Sequence, residues 1–505
     1  MFTAPPVLMR RLAPLLLLTA ATAMCTGPTA SASGVGAPTP PTSPAQSTVQ
    51  ESLDRFVAEH GTPGIQAAVL RDGELLALAA AGSDGNGGAM TTATPMRVES
   101  LSKSFTALAV LQLVEAGKLD LDEPVVDQLP ELTLDDTRAT AITLRELLYH
   151  TSGMTDPTAP SLYEEHVRTL EDAVERLEPA TLATDPGTAA AYHNPNYHVA
   201  GRLVEVVSGQ PFSQYLDQQV LDPLGMADTS SVPTAGARVP EMAAGHLLAW
   251  GRPFAATGPD YFTEGSGGVV STAADMARWI AMQQSGGTAM DGTRVVTPES
   301  VAAMHTPGEH TDDYGFGWYR AESAEGPPVR ISHSGAGAGF GAYQGIFVDS
   351  GYAVVVLINS GAGLTSPDPG VVAQNLLHDV DPVIPPLTSG ADRGRTDWIL
   401  TGVALVTVGL GVVALARARH WARRRSGRSG VLTVLRMLPW LLPAAVFAGL
   451  PALQVWATGR TAPYELLFHV SPVAVVWLGL YAATGIAVVA LRAARLYAVG
   501  RAPAR

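Results

Sequence analysis

Residues 98–117 read VESLSKSFTALAVLQLVEAG. Apolar residues recur at helical spacing until Gly117 ends the run, which predicts an amphipathic helix. Ser100 and Lys103 lie three positions apart near its start, so both side chains share one helix face within hydrogen-bond reach. Lysine occurs only at positions 103 and 118, and arginine takes every other such place. Arginine stays protonated in any protein setting, whereas a desolvated lysine can fall from about 10.4 toward neutrality and accept a proton. A helix N-terminus also favours negative charge developing on an acyl oxygen. The pair is a candidate nucleophile and base, although a serine also precedes one of two lysines by chance at ordinary serine abundance.

Outward from this helix, strands are expected at both ends of the surrounding unit. Residues 64–70 (GIQAAVL) form one, and residues 345–347 and 352–359 form a hairpin turning at Asp349-Ser350-Gly351. Terminal strands joined in one sheet around a helical body predict an α+β or α/β sandwich. Residues 33–47 and 381–396 are Pro-, Ser- and Gly-punctuated and read as linkers, leaving a folded domain over 48–380.

The ends of the chain read differently. Arg10 and Arg11, the apolar run from Leu12 to Met24 and the small residues Ala30-Ser31-Ala32 predict a signal peptide over 1–32, with lipidation at Cys25 as the alternative to simple cleavage. Cys25 is the chain's only cysteine, so a mature form cleaved after Ala32 has no disulfide and no cysteine nucleophile. Residues 397–505 predict a membrane anchor with spans at about 398–416, 438–456 and 470–491. Arg417, Arg419, Arg423, Arg424, Arg425, Arg428 and Arg436 follow the first span, and Arg492, Arg495, Arg501 and Arg505 follow the third. The positive-inside rule puts both groups in the cytoplasm and the folded domain outside, in a multi-pass cell-membrane protein. The chain's net charge of −14 with so basic a tail leaves the outer domain strongly acidic, which excludes nucleic acid as a ligand.

Two further clusters carry chemistry. In Ala191-Tyr192-His193-Asn194-Pro195-Asn196-Tyr197, Tyr192 can shuttle a proton and Asn194 can orient an amide, yet the segment reads equally as a structural turn. In Ile331-Ser332-His333-Ser334-Gly335-Ala336-Gly337, small residues allow a substrate backbone to approach, or simply make a loop between strands.

Ser100-Leu101-Ser102-Lys103, Tyr192-His193-Asn194 and His333-Ser334-Gly335 together resemble, in order and spacing, the three signatures of the serine β-lactamase and D-alanyl-D-alanine carboxypeptidase superfamily, in its class C-like branch. Residues 147–154 (LLYHTSGM), 267–277 (GGVVSTAADMA) and 314–318 (YGFGW) extend the resemblance, which runs from about 50 to 380. It implies an antiparallel sheet flanked by helices with an all-helical subdomain. It also implies that Ser100 is acylated, Lys103 takes its proton and Tyr192 passes that proton to the leaving group. The Ser100 and Ala336 N–H groups would form the oxyanion hole, and Asn194, His333, Ser334 and Gly335 would bind substrate. His333 replaces the family's commoner lysine, so the cation that grips a substrate carboxylate is lost or becomes pH-dependent.

No Gly-x-Ser-x-Gly pentapeptide and no His-Glu-x-x-His occur in the chain, which disfavours an α/β-hydrolase and a metallohydrolase. The expected function is a membrane-anchored serine hydrolase needing no cofactor or metal, acting on a small molecule or a peptidoglycan-derived peptide. A penicillin-binding sensor without turnover is the alternative. Protease added to intact cells is expected to remove the catalytic domain; a protected domain would mean inverted topology.

Overall fold

A computed structural model describes residues 43–160, 163, 167–256, 258–311, 313–321, 329–361, 367–387 and 393–500. The expected signal peptide, Cys25 and positions 33–42 of the expected linker lie outside them. The domain before the apolar C-terminal segment contains, among its longer helices, α1 (Pro44–His60), α2 (Ser102–Glu115), α3 (Asn194–Ser208), α4 (Ala273–Gln284) and α5 (Pro369–Val380). Helix α1 starts four residues before the expected domain boundary at 48, because Ser43 caps the Gln46 N–H and Pro44 sits in the first turn.

The main sheet contains β1 (Gly64–Arg71), β2 (Glu74–Gly82), β3 (Tyr319–Ala321), β4 (Arg330–Gly337), β5 (Phe340–Phe347) and β6 (Tyr352–Ile358), in the order β2-β1-β6-β5-β4-β3. Every pair is antiparallel. The N-terminal and C-terminal strands meet as expected, β1 pairing β6 from Ile65↔Ile358 to Arg71↔Tyr352. Alternate residues supply two cores. Ile65, Val69, Val354 and Val356 pack with Val49, Leu53 and Leu376 of α1 and α5. Ala68, Leu70, Val355 and Leu357 join the larger core that includes Phe105 of α2 and Trp279 of α4.

Helix α2 departs from the amphipathic expectation: every residue from Ser102 to Leu111 is buried. Its first ten residues run through the interior with apolar or small residues on all sides, and only the last turn, with Gln112, Val114 and Glu115, reaches the surface.

C-terminal to this domain lie α6 (Arg393–Ala416), α7 (Leu438–Ala448), α8 (Leu450–Thr458) and α9 (Pro472–Gly500), with shorter helices at Ala418–Arg425, Gly430–Leu435 and Tyr464–Val470. Gly394–Ala416 and Pro472–Val499 are long and apolar enough to cross a membrane. The span expected at 438–456 is broken: α7 and α8 meet at 60° and make a third crossing only if counted together. Gly449 and Pro451 sit at the break, where proline removes a helical hydrogen bond and its ring clashes with the preceding turn.

Phe105 is fully buried and stacks on Trp279 at 3.8 Å between ring centroids. Phe105→Ala is expected to cost about 3–5 kcal/mol in denaturant unfolding; a change below about 1 kcal/mol would show that this contact does not hold the central helix.

Candidate active site

The chain enters the site on a short strand, Met96–Arg97, and turns through Glu99–Leu101 into α2. Glu99 holds a φ of 52°, unusual for a residue with a side chain. Hydrogen bonds around it maintain the turn: Ser102 Oγ donates to the Glu99 carbonyl at 2.6 Å and accepts the Val269 N–H at 3.0 Å. Strand β4 approaches so closely that a Cβ at Gly335 would overlap the Val98 carbonyl. Ala336 and the exposed Ser334 follow the unpaired part of this edge, since β3 pairs only with residues 330–332.

On the turn, Ser100 Oγ receives two hydrogen bonds, from Tyr192 Oη at 2.9 Å and Lys103 Nζ at 3.2 Å. Lys103 is 0 % exposed; its Nζ also donates to the Ser266 carbonyl at 2.8 Å and lies 4.8 Å from the Tyr192 ring centroid. Burial drives the Lys103 amine well below its ordinary value, the Arg460 charge adds to the shift, and Glu99 opposes it. The same burial raises the Tyr192 phenol, against its hydrogen bond to Ser100. Desolvation penalises whichever form is charged, so it turns the amine into a base and keeps the phenol protonated. Burial also raises Glu99 to about 7, despite Arg97 and Lys103.

The Tyr192 segment is not the loop its composition suggests. Asn194 begins α3, and Pro195 occupies the first turn, where its missing N–H costs nothing. Asn194 Oδ1 is buried without a hydrogen-bond partner among the described residues, an acceptor left unsatisfied two residues after Tyr192. His150 backs Tyr192 with ring centroids 4.4 Å apart, its Nδ1 accepting from the His193 N–H and from Asn196 Nδ2.

His333 does not supply a pH-dependent charge. Its Nδ1 donates to the Ser334 carbonyl at 2.8 Å, leaving Nε2 to accept from Tyr314 Oη at 3.3 Å. Burial, reinforced by Lys103, lowers its pKa to about 3, so the ring is neutral at physiological pH.

All the residues expected from the sequence thus gather on one turn, one helix start and one strand edge. Four others were not foreseen there: Glu99, Ser266, Asp156 and Arg460. Asp156 is buried and accepts from His193 Nδ1 at 2.8 Å and from Arg460 Nε at 2.9 Å, although Arg460 lies between α8 and α9. Ser266 immediately precedes the 267–277 motif, but Asp156 and Arg460 belong to no motif of their own and are separated by 304 positions.

Residues 49–375 match the family described as Beta-lactamase. This chain belongs to that family. Among curated relatives of this beta-lactamase family member, penicillin-binding protein 4 of Amycolatopsis lactamdurans is 32% identical over 62% of this chain and 84% of its own. The D-alanyl-D-alanine-carboxypeptidase/endopeptidase of Escherichia coli K12 is 27% identical over 52% and 70%. Among solved structures, the D-amino acid amidase of Ochrobactrum anthropi SV3 superposes with a TM-score of 0.54, at 25% identity, over 68% of this chain and 97% of its own. The family match stops before the apolar C-terminal helices. With these relatives, the chain is a serine hydrolase acting on amides or esters.

Burial lowers the pKa of His150, His193, His198, His305 and His333, the last three to about 3. Between the unfolded value near 6.5 and these folded values, the unfolded chain binds more protons, so stability is present above about pH 6.5 and falls with acidification. Glu99 and Glu264, both raised to about 7, act in the opposite direction but are fewer. The denaturant midpoint is expected to be lower at pH 5 than at pH 7; a higher midpoint at pH 5 would contradict the neutral histidines.

Proposed function

We propose that the chain is a membrane-anchored, extracytoplasmic serine hydrolase that works through an acyl-enzyme on Ser100. The observation carrying this reading is the double hydrogen bond on Ser100 Oγ, from an amine whose proton burial removes and a phenol whose proton burial retains.

In the neutral state the Lys103 lone pair accepts the Ser100 proton while its N–H groups stay on the Ser266 carbonyl. Ser100 Oγ attacks the substrate carbonyl, and the N–H groups of Ser100 and Ala336 receive the oxyanion, each worth about 3–4 kcal/mol if removed. Tyr192 donates its proton to the leaving amine or alkoxide and is reprotonated through Lys103. Water then enters by the reverse route, with the same groups activating it and releasing the acid. The unpaired Asn194 Oδ1 is the acceptor for a substrate amide N–H.

The names of the relatives point to amides of D-amino acids, so a D-amino-acid peptide is the substrate we favour over a β-lactam or a simple ester. Localisation is inferred from two attachments between the hydrolase and the membrane helices. Trp250 donates its backbone N–H to Asp397 at 2.8 Å and its indole N–H to Thr401 at 2.8 Å near the start of α6, and Arg460 reaches Asp156 from beyond α8. Both attachments lie at the helix ends away from Arg417–Arg436 and Arg492, which fits a hydrolase outside and arginines inside.

A fluorophosphonate or a fluorescent β-lactam is expected to label the full-length protein, and Ser100→Ala to abolish the labelling. Equal labelling of both proteins would remove Ser100 as nucleophile. Tyr192→Phe should lower kcat/KM by about 10²–10⁴. A panel of a D-Ala-D-Ala peptide, a chromogenic cephalosporin and a p-nitrophenyl ester should show turnover of the peptide; acylation without turnover of any of them would favour a sensor.

A further inference from the structure

The short loop over 459–463, after α8 and before a one-turn-plus helix at Tyr464–Val470, comes from the membrane segment, yet it is built into the hydrolase site. Asp156 organises it. This carboxylate is 3 % exposed and divides its two oxygens between the domain and the loop. Oδ1 accepts from His193 Nδ1 at 2.8 Å, tying it to the Tyr-x-Asn segment. Oδ2 accepts from Arg460 Nε at 2.9 Å, the Thr461 N–H at 3.0 Å and Thr461 Oγ1 at 3.4 Å. Burial alone would raise the carboxyl, but His193 and Arg460 bring it down to about 2, so it is charged. His193 is held neutral by burial, which leaves Arg460 as the cation that balances it.

The arginine does more than neutralise its partner. Its guanidinium carbon stands 5.0 Å from the centroid of the Tyr192 ring, whose hydroxyl is on Ser100. Only Nε is committed to Asp156; the two Nη groups have no hydrogen-bond partner among the described residues, and the side chain is 29 % exposed. A half-open guanidinium with its outer fork free is matched to a carboxylate, which it can bind through two parallel hydrogen bonds. Lys103 is committed as the neutral base, and His333 has both ring nitrogens engaged within the protein, so neither offers a cation to a substrate anion.

We propose that Arg460, presented by the loop between the last membrane helices and fixed by Asp156, is the carboxylate-binding residue of this hydrolase, so that the membrane segment completes the substrate site. The assignment rests on the hydrolase reading above and narrows its substrate class to acyl donors that carry a free carboxylate beyond the scissile bond. It also gives the membrane helices a role in specificity as well as attachment.

The test uses the full-length protein in detergent, with fluorophosphonate labelling to count active sites. Two peptides are compared, one ending in D-Ala-D-Ala with a free carboxylate and the other with that terminus amidated. Wild type is expected to prefer the carboxylate, mainly through KM. In Arg460→Gln the ratio of the two kcat/KM values should fall about 10- to 100-fold, the range expected for a lost hydrogen bond to a charged group. Arg460→Lys should give an intermediate ratio, since it keeps the charge and loses the fork. Asp156→Asn should shift the ratio in the same direction by releasing the loop. A ratio unchanged in Arg460→Gln, or a wild type with no preference, would overturn the proposal while labelling and peptide turnover left the hydrolase reading intact. If Ser100 takes no label and neither peptide is cleaved, the hydrolase reading fails and the proposal with it.

Discussion

A lysine with no water around it is the constraint from which the site follows. Lys103 is enclosed by the Ser266 carbonyl, the rings of Tyr192 and Tyr197, and the Ser100 hydroxyl. Taking an ammonium out of water is costly, and the protein avoids the cost by letting the proton go. The phenol of Tyr192, buried beside it, responds in the opposite sense because its charged form is the deprotonated one. One dry environment therefore produces a base and an acid three ångströms from the same hydroxyl.

Holding a reactive serine at the edge of that dry region takes backbone strain and close packing. Glu99 adopts a left-handed conformation immediately before Ser100, and such a conformation persists only where surrounding contacts over-determine it. Here the contacts are the Ser102 hydroxyl, bonded to both sides of the turn, and strand β4, which comes against the Val98 carbonyl through Gly335. The walls are made of neutral rings: His150, Tyr192, Tyr314 and His333 pack edge to face or tilted with centroids about 4 to 6 Å apart. Keeping the histidines uncharged preserves the low polarity on which Lys103 depends.

Against that neutral background, Asp156 and Arg460 form a charged pair that joins the hydrolase domain to the C-terminal helices. A buried carboxylate with two oxygens can serve two elements at once, and here one oxygen serves the helix-start segment behind Tyr192 while the other serves the loop after α8. The positive field of the guanidinium acts on Lys103 in the same direction as burial, so the loop and the desolvated core reinforce one another.

The amino-acid sequence alone determined the strand placement at both ends of the domain, the family and the positions of Ser100, Lys103, Tyr192, Asn194 and His333. These are local patterns: short apolar runs bounded by turn residues, a three-residue helical offset and short motifs whose spacing survives in a linear reading. Helix α2 was placed correctly but misjudged as amphipathic, because whether its polar-looking small residues meet water depends on what packs over them. The break at Gly449 is written in its prolines, yet hydropathy averages over it. Only the tertiary structure decided that His333 is neutral, that Glu99 is strained beneath the nucleophile and that Arg460 enters the site. Those outcomes come from desolvation and from contacts between residues hundreds of positions apart, and neither quantity exists until the chain has folded.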